Sequence, residues 1–363
     1  MPATPTTRPS RRAVLGAAVP AVLALGAAGA LGSPRPAALG EPTGDTRLAD
    51  ALAQHLDGHR RVAAALVTAG GARFAGFGAD RSREFEIGSV SKTFTASLTM
   101  AAVARGELTL DSTVADVLGD RASGSAIADV SIAELASHTS GLPSLPSSIA
   151  VRSILTSTLR KDPYAGHDAD DVIEDALGTS LGDRGQYAYS NLATALEGQL
   201  LATAADSTWD DLLRSRVLGP LGLEATRAPL SADALGDGPT GHAANGHGAA
   251  AWTMDGYAPA GGIRSTVSDL AIHLGAMMDG THPGAAAIEP TADVSEGSRI
   301  GVHWLTTTTA GGERVTWHNG MTGGFAAFCG WNRDTEVGFV ALTDTARSLD
   351  ALSMDVLDGT VTA

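Results

Sequence analysis

The chain has 363 residues, 44% hydrophobic and 18% charged, a globular composition long enough for one large domain or two lobes. Its formal net charge of −15 argues against nucleic acid as a partner. The single cysteine, Cys329, excludes an internal disulfide and a cysteine-based zinc cluster, and the ten histidines form no helical His-x-x-x-His pair, so no metal or other cofactor is expected.

Residues 1–40 read as a signal peptide and linker. Ser10-Arg11-Arg12 precedes an apolar run from Ala13 to Gly32, and Ala28-Gly29-Ala30 supplies a small-residue cleavage pattern. The arrangement resembles a bacterial twin-arginine export signal, which implies an extracytoplasmic protein. A membrane anchor is the alternative reading, but Pro20 and the many Gly and Ala make the run weakly apolar, so no stable anchor is expected after cleavage. Cleavage after Ala30 would remove Arg8, Arg11 and Arg12 and take the charge from −15 to −18. Residues 33–44, with Pro34, Pro36 and Pro42, read as a flexible linker.

The folded part is expected over 41–363. A first helix runs from Asp45 to His55, and Val62–Val67 with Arg73–Phe77 form a hairpin around Ala69-Gly70-Gly71. A helix beginning at or just before Ser89 runs to about Arg105 and stops at Gly106. Further helices are expected at Ser131–Ala136, Asp170–Leu177, Asn191–Ala204, Thr208–Val217, Ser268–Met278 and Ala346–Leu357. Strands are expected at Arg314–Trp317, Phe325–Trp331 and Val337–Thr343. Strands at both ends with helices between them predict one sheet built from both termini and closed over by a helical insertion. The sheet lobe is placed at about 45–95 and 255–363, and the helical lobe at about 96–254. Cys329, on an expected strand, reads as a small buried hydrophobe.

The chemistry concentrates first in Ser89-Val90-Ser91-Lys92. At a helix start, positions three apart leave the same face one turn apart. The chain has only two lysines, Lys92 and Lys161, and otherwise uses arginine. Arginine stays protonated, whereas a buried lysine can lose its proton and serve as the base for a serine hydroxyl. By itself Ser-x-x-Lys is a weak signal. The second element is Tyr189-Ser190-Asn191, holding one of four tyrosines. A phenol beside a cationic lysine would have its pKa lowered and could shuttle protons, and the Asn191 amide could hold a substrate amide. The third is His318-Asn319-Gly320, followed by Met321. Gly320 allows close approach of a ligand, and the N–H groups of Met321 and Ser89 could face a developing oxyanion.

In this order the three elements resemble the serine penicillin-recognising enzymes, the superfamily of β-lactamases, penicillin-binding DD-peptidases and related esterases. Leu135-Ala136-Ser137-His138-Thr139-Ser140-Gly141-Leu142-Pro143, Pro220-Leu221-Gly222-Leu223 and Pro259-Ala260-Gly261-Gly262-Ile263-Arg264-Ser265-Thr266 are similar to segments of the class C β-lactamase and secreted DD-carboxypeptidase branch. The likeness covers about residues 45–363. It implies an α/β (α+β) fold, a five-stranded antiparallel sheet flanked by helices plus an all-helical lobe, with the site between them. It implies Ser89 as nucleophile, Lys92 as base and Tyr189 as proton carrier. Asn191, His318 and Gly320 are then substrate-binding, with the Ser89 and Met321 amides as oxyanion hole. His138 and His303 read as structural. His318 stands where the β-lactamase branch usually carries lysine, which weighs against efficient β-lactam hydrolysis.

The expected function is therefore an exported serine hydrolase acting through an acyl-enzyme on a small-molecule or peptide substrate. D-alanyl peptides come first. An esterase or weak β-lactamase of the same fold is the alternative, as is a penicillin-binding or sensor protein that stays acylated. In the D-alanyl reading, His318 meets the substrate carboxylate and titrates near the ordinary histidine pKa of about 6.5.

Overall fold

The computed structural model describes residues 37–150, 152, 156 and 161–362. The Arg11-Arg12 segment and the cleavage pattern at Ala28–Ala30 lie outside them. The main sheet comprises β1 (Pro42–Gly44), β2 (Val62–Thr68), β3 (Gly71–Phe77), β4 (Ala292–Ser295), β5 (Ser298–Ile300), β6 (Leu305–Thr308), β7 (Arg314–Met321), β8 (Ala326–Asn332) and β9 (Val337–Thr343). Its order is β1-β3-β2-β9-β8-β7-β6-β5-β4, antiparallel throughout. The expected five strands are present as β2, β3, β7, β8 and β9, and β9 on β2 joins the two ends of the chain. The correction is in the number: four shorter strands extend the edges to nine. One of them, β1, lies in the stretch read as linker. Its entry is held by Gly40 N–H on the Arg60 carbonyl and Gly78 N–H on the Glu41 carbonyl.

Side chains alternate across a strand, so a sheet covered on both faces needs apolar residues at every position. That is what β2 supplies. Ala63, Ala65 and Val67 face one core, and Val62, Ala64 and Leu66 face the other. Likewise Ala327, Cys329 and Trp331 of β8 lie on the first side and Phe328 on the second. The longer α-helices among the described residues are α1 (Thr46–Ala53), α2 (Ser91–Arg105), α3 (Val114–Leu118), α4 (Ile132–Ala136), α5 (Ala169–Leu177), α6 (Asn191–Ala204), α7 (Trp209–Leu213), α8 (Val267–Asp279) and α9 (Asp350–Leu357). The second core is closed by Leu48 and Leu52 of α1 with Leu352 and Val356 of α9, and the first by α2, α8 and the remaining helices.

Local chemistry sets most helix starts. Asp45 caps α1 through Leu48 N–H at 2.9 Å, so the helix begins one residue later than expected, and it stops at Ala53. Capping boxes open α3 at Thr113, α4 at Ser131 and α5 at Asp168. The expected helix Thr208–Val217 changes hydrogen-bond period after Leu213 and continues as a wider turn over Arg214–Leu218. The last helix begins at Asp350 rather than Ala346, and before it Thr345 bridges His242 and Ala346 N–H bonds the His242 carbonyl.

Candidate active site

Ser89 lies in the 3-10 turn Gly88–Val90, which runs straight into α2. Gly88 has φ +50°, and a Cβ there would approach Met321 N to 2.6 Å, so a side chain at this position is both strained and crowded. Lys92, the second residue of α2, is fully buried. Its Nζ lies 3.2 Å from Ser89 Oγ, 2.7 Å from Asn191 Oδ1 and 2.6 Å from the Ala260 carbonyl oxygen. Burial holds its pKa well below the ordinary lysine range. A neutral amine has two N–H bonds and one lone pair. Asn191 Oδ1 and the Ala260 carbonyl can only accept, so they take the two N–H bonds and leave the lone pair for the Ser89 hydroxyl proton.

Tyr189 precedes the Ser190 cap of α6, where Ser190 Oγ accepts from Ala193 N–H and donates to the Pro143 carbonyl. Ala188 N–H bonds the His138 carbonyl, Ser190 N–H bonds His138 Nδ1, and the His138 ring packs 4.7 Å from the Tyr189 ring, fixing the phenol's direction. The Tyr189 hydroxyl donates to Ser89 Oγ at 2.6 Å, and Lys92 Nζ sits 4.9 Å from the centre of its ring. Tyr189 as a residue is 36% exposed, and its hydroxyl is turned onto Ser89. Burial raises the Tyr189 pKa, reversing the expected lowering. Loss of hydration on burial outweighs the lowering that its hydrogen bond to Ser89 supplies.

Asn191 begins α6, and its side chain is largely engaged within the protein. Oδ1 accepts from Lys92, and Nδ2 donates to the Tyr164 hydroxyl at 3.2 Å, which leaves one N–H for a substrate carbonyl.

Gly320 and Met321 end β7. Thr322 N–H bonds the Phe325 carbonyl at 3.0 Å, so strict antiparallel alternation turns the Met321 N–H away from β8. On that side β6 pairs β7 only as far as Trp317, and the Ser89 turn occupies the uncovered edge. Gly320 makes the approach possible, since a Cβ would collide with the Ile87 carbonyl oxygen. Ser89, at a helix start, presents its own N–H beside this edge.

His318 is placed differently from expectation. It is 2% exposed and its Nδ1 lies 2.6 Å from the Asn319 carbonyl oxygen. Its pKa is lowered to about 3, chiefly by burial and then by the proximity of Lys92. It lies beneath the cleft as a neutral ring. The cleft itself, about 240 Å³, is lined by Ser89, Tyr189, Asn319, Gly320, Met321, Ser348 and Asp350. A larger hollow of about 560 Å³, lined by Asp168, Gln199 and Asp210 among others, holds none of the groups around Ser89.

The structure thus brings Ser89, Lys92, Tyr189, Asn191, Gly320 and Met321 together and sets His318 underneath. Sequence reasoning missed the Ala260 carbonyl, Tyr164 and Asp350. A backbone acceptor leaves no trace in side-chain pattern. Tyr164 had one available signal, as one of only four tyrosines. His303, φ +60°, is buried with Nε2 2.7 Å from Glu197 Oε2, and does not line the cleft.

Residues 48–358 match the Beta-lactamase family, and the chain belongs to that family of β-lactamase- and penicillin-binding-type serine hydrolases. Among relatives, a penicillin-binding protein 4 from Amycolatopsis lactamdurans is 35% identical over 148 residues, 38% of this chain and 34% of that protein. A β-lactamase from Providencia stuartii is 34% identical over 144 residues, 39% of this chain and 33% of that protein. The matches span about a third of each relative's length. A class C β-lactamase structure from Rhodobacter sphaeroides superposes with TM-score 0.72 at 19% identity, covering 88% of this chain and 100% of that one. An octameric penicillin-binding protein homologue from Pyrococcus abyssi gives 0.73 at 19% identity, covering 87% and 76%. These structural likenesses establish the fold.

Proposed function

We propose that the protein hydrolyses an ester or amide through an acyl-enzyme on Ser89, with Lys92 as base and Tyr189 as proton carrier. The observation that carries this reading is the meeting of a buried lysine amine and a phenol on one serine oxygen, at 3.2 and 2.6 Å. In the first step Ser89 Oγ bonds the substrate carbonyl carbon as its proton passes to Lys92 Nζ. The carbonyl oxygen takes the electron pair and faces the N–H groups of Ser89 and Met321. Collapse breaks the bond to the leaving group. That group takes the Tyr189 hydroxyl proton, which Lys92 replaces. Water then bonds the acyl carbon, losing its proton to the same pair, and Ser89 leaves with a proton restored.

In a D-alanyl reading His318 would be the group that meets the substrate carboxylate. A buried His318 with a pKa of about 3 supplies no cation there, which favours the esterase or neutral-amide reading. The test is a comparison of kcat/KM on a short-chain neutral ester, a D-Ala-D-Ala peptide and a chromogenic cephalosporin from about pH 5.5 to 8.5. The ester should be the best substrate. The anionic-to-neutral ratio should be flat, because His318 stays neutral over the whole window. A ratio falling as pH rises through about 6.5 would mean a protonated His318 binds the carboxylate at low pH, and would sink this preference.

Export is part of the same proposal, supported by Ser10-Arg11-Arg12. Among the described residues no helix is long and apolar enough to cross a membrane. Replacing Arg11 and Arg12 by Lys should leave precursor inside the cell, and unaltered secretion would refute the twin-arginine route.

A further inference from the structure

The cleft beside Ser89 contains a carboxylate and no lysine, arginine or histidine among the described residues that line it. The carboxylate is Asp350, the first residue of α9. Asn319 Nδ2 donates to its Oδ2 at 2.7 Å, which fixes the group in place. No described residue donates a hydrogen bond to Oδ1, and no described ion pair includes Asp350. The cation nearest to it in sequence, Arg347, is turned back over Gly58, where a Cβ would lie 2.8 Å from the guanidinium carbon. A half-buried, held carboxylate with an unused oxygen, next to a nucleophile, is a poor neighbour for a substrate carboxylate and a ready partner for a cation.

We infer that Asp350 is a specificity-determining residue that selects substrates carrying an ammonium or other cationic group next to the scissile bond. The inference rests on the reading of Ser89 as nucleophile and narrows its substrate class. The chain's formal charge of −15 draws cations to the whole surface, so the local effect must be separated from the global one.

The probes are choline butyrate and its neutral isostere 3,3-dimethylbutyl butyrate, together with a pair in which the same trimethylammonium-for-tert-butyl exchange is made on the acyl side. In the wild type, one of the two pairs should show a cationic-to-neutral kcat/KM ratio of roughly fivefold, the scale of a single partly solvated charge contact. Asp350→Asn keeps an acceptor for Asn319 and should bring that ratio close to one. Glu224→Gln removes an exposed charge outside the cleft and should leave the ratio in place. A ratio near one for both pairs in the wild type, or a ratio that survives Asp350→Asn, overturns the inference. Binding of the same esters to Ser89→Ala, measured by calorimetry, separates the two readings. Selective binding lost in the Asp350→Asn double variant upholds the role of Asp350 even if Ser89 proves not to be the nucleophile. Turnover through Ser89 without selectivity refutes Asp350 alone.

Discussion

Ser89→Ala is expected to lower kcat/KM on the best ester by about 10⁴-fold or more, because both acylation and deacylation pass through its oxygen. The fold should survive, since only the terminal oxygen is lost and its partners, Tyr189 and Lys92, face the cleft or retain other contacts. Ser91 is the control for position. It is buried and its Oγ accepts from Ile263 N–H at 3.1 Å, a structural task away from Lys92. Ser91→Ala should affect stability more than chemistry. Activity lost in the Ser91 variant and retained in the Ser89 variant would move the nucleophile by two positions.

The second large effect concerns Lys92. Lys92→Arg keeps a charge but offers no base at neutral pH and forces a larger, permanently charged group into a fully buried site. Its kcat/KM should fall by about 10³-fold, close to that of Lys92→Ala. The pH dependence has a definite sign. Burial holds the folded-state pKa of Lys92 below its ordinary value, so the amine is a base above that lowered pKa and activity is lost as pH falls through it. Circular dichroism of both variants checks that they are folded. Substantial activity in the arginine variant would make Lys92 a counter-ion and pass the proton to another group. Tyr189 is a poor candidate for that role, because burial raises its pKa.

Much of this architecture was legible before any coordinates. The helices expected at Ser131–Ala136 and Asn191–Ala204 are found at Ile132–Ala136 and Asn191–Ala204, capped by Ser131 and Ser190, and β9 occupies the expected residues Val337–Thr343. The Ser89–Lys92 spacing also gave the right juxtaposition, because it depends only on helix geometry. The four edge strands escaped notice for a physical reason. β4, β5 and β6 are short, polar and partly exposed, so their sequences carry little apolar alternation, and β1 is only Pro-Thr-Gly. His318 shows a different limit. Strand alternation can separate His318 from Trp317, but what covers each face is decided by distant segments. The pKa of about 3 follows from that cover, not from the residue. The same holds for Asp350, which lines the cleft with Ser348 of the loop after β9 and is held there by Asn319 of β7.

A covalent intermediate on Ser89 can be trapped and located by mass spectrometry. The folded protein is incubated with an activated butyrate ester, quenched in acid within the first turnovers, digested and mapped. The expected result is one butyryl group on the peptide containing Ser89, localised to that serine by fragmentation and absent from Ser89→Ala. A butyryl group on another residue, or ester turnover that persists in Ser89→Ala, would contradict it.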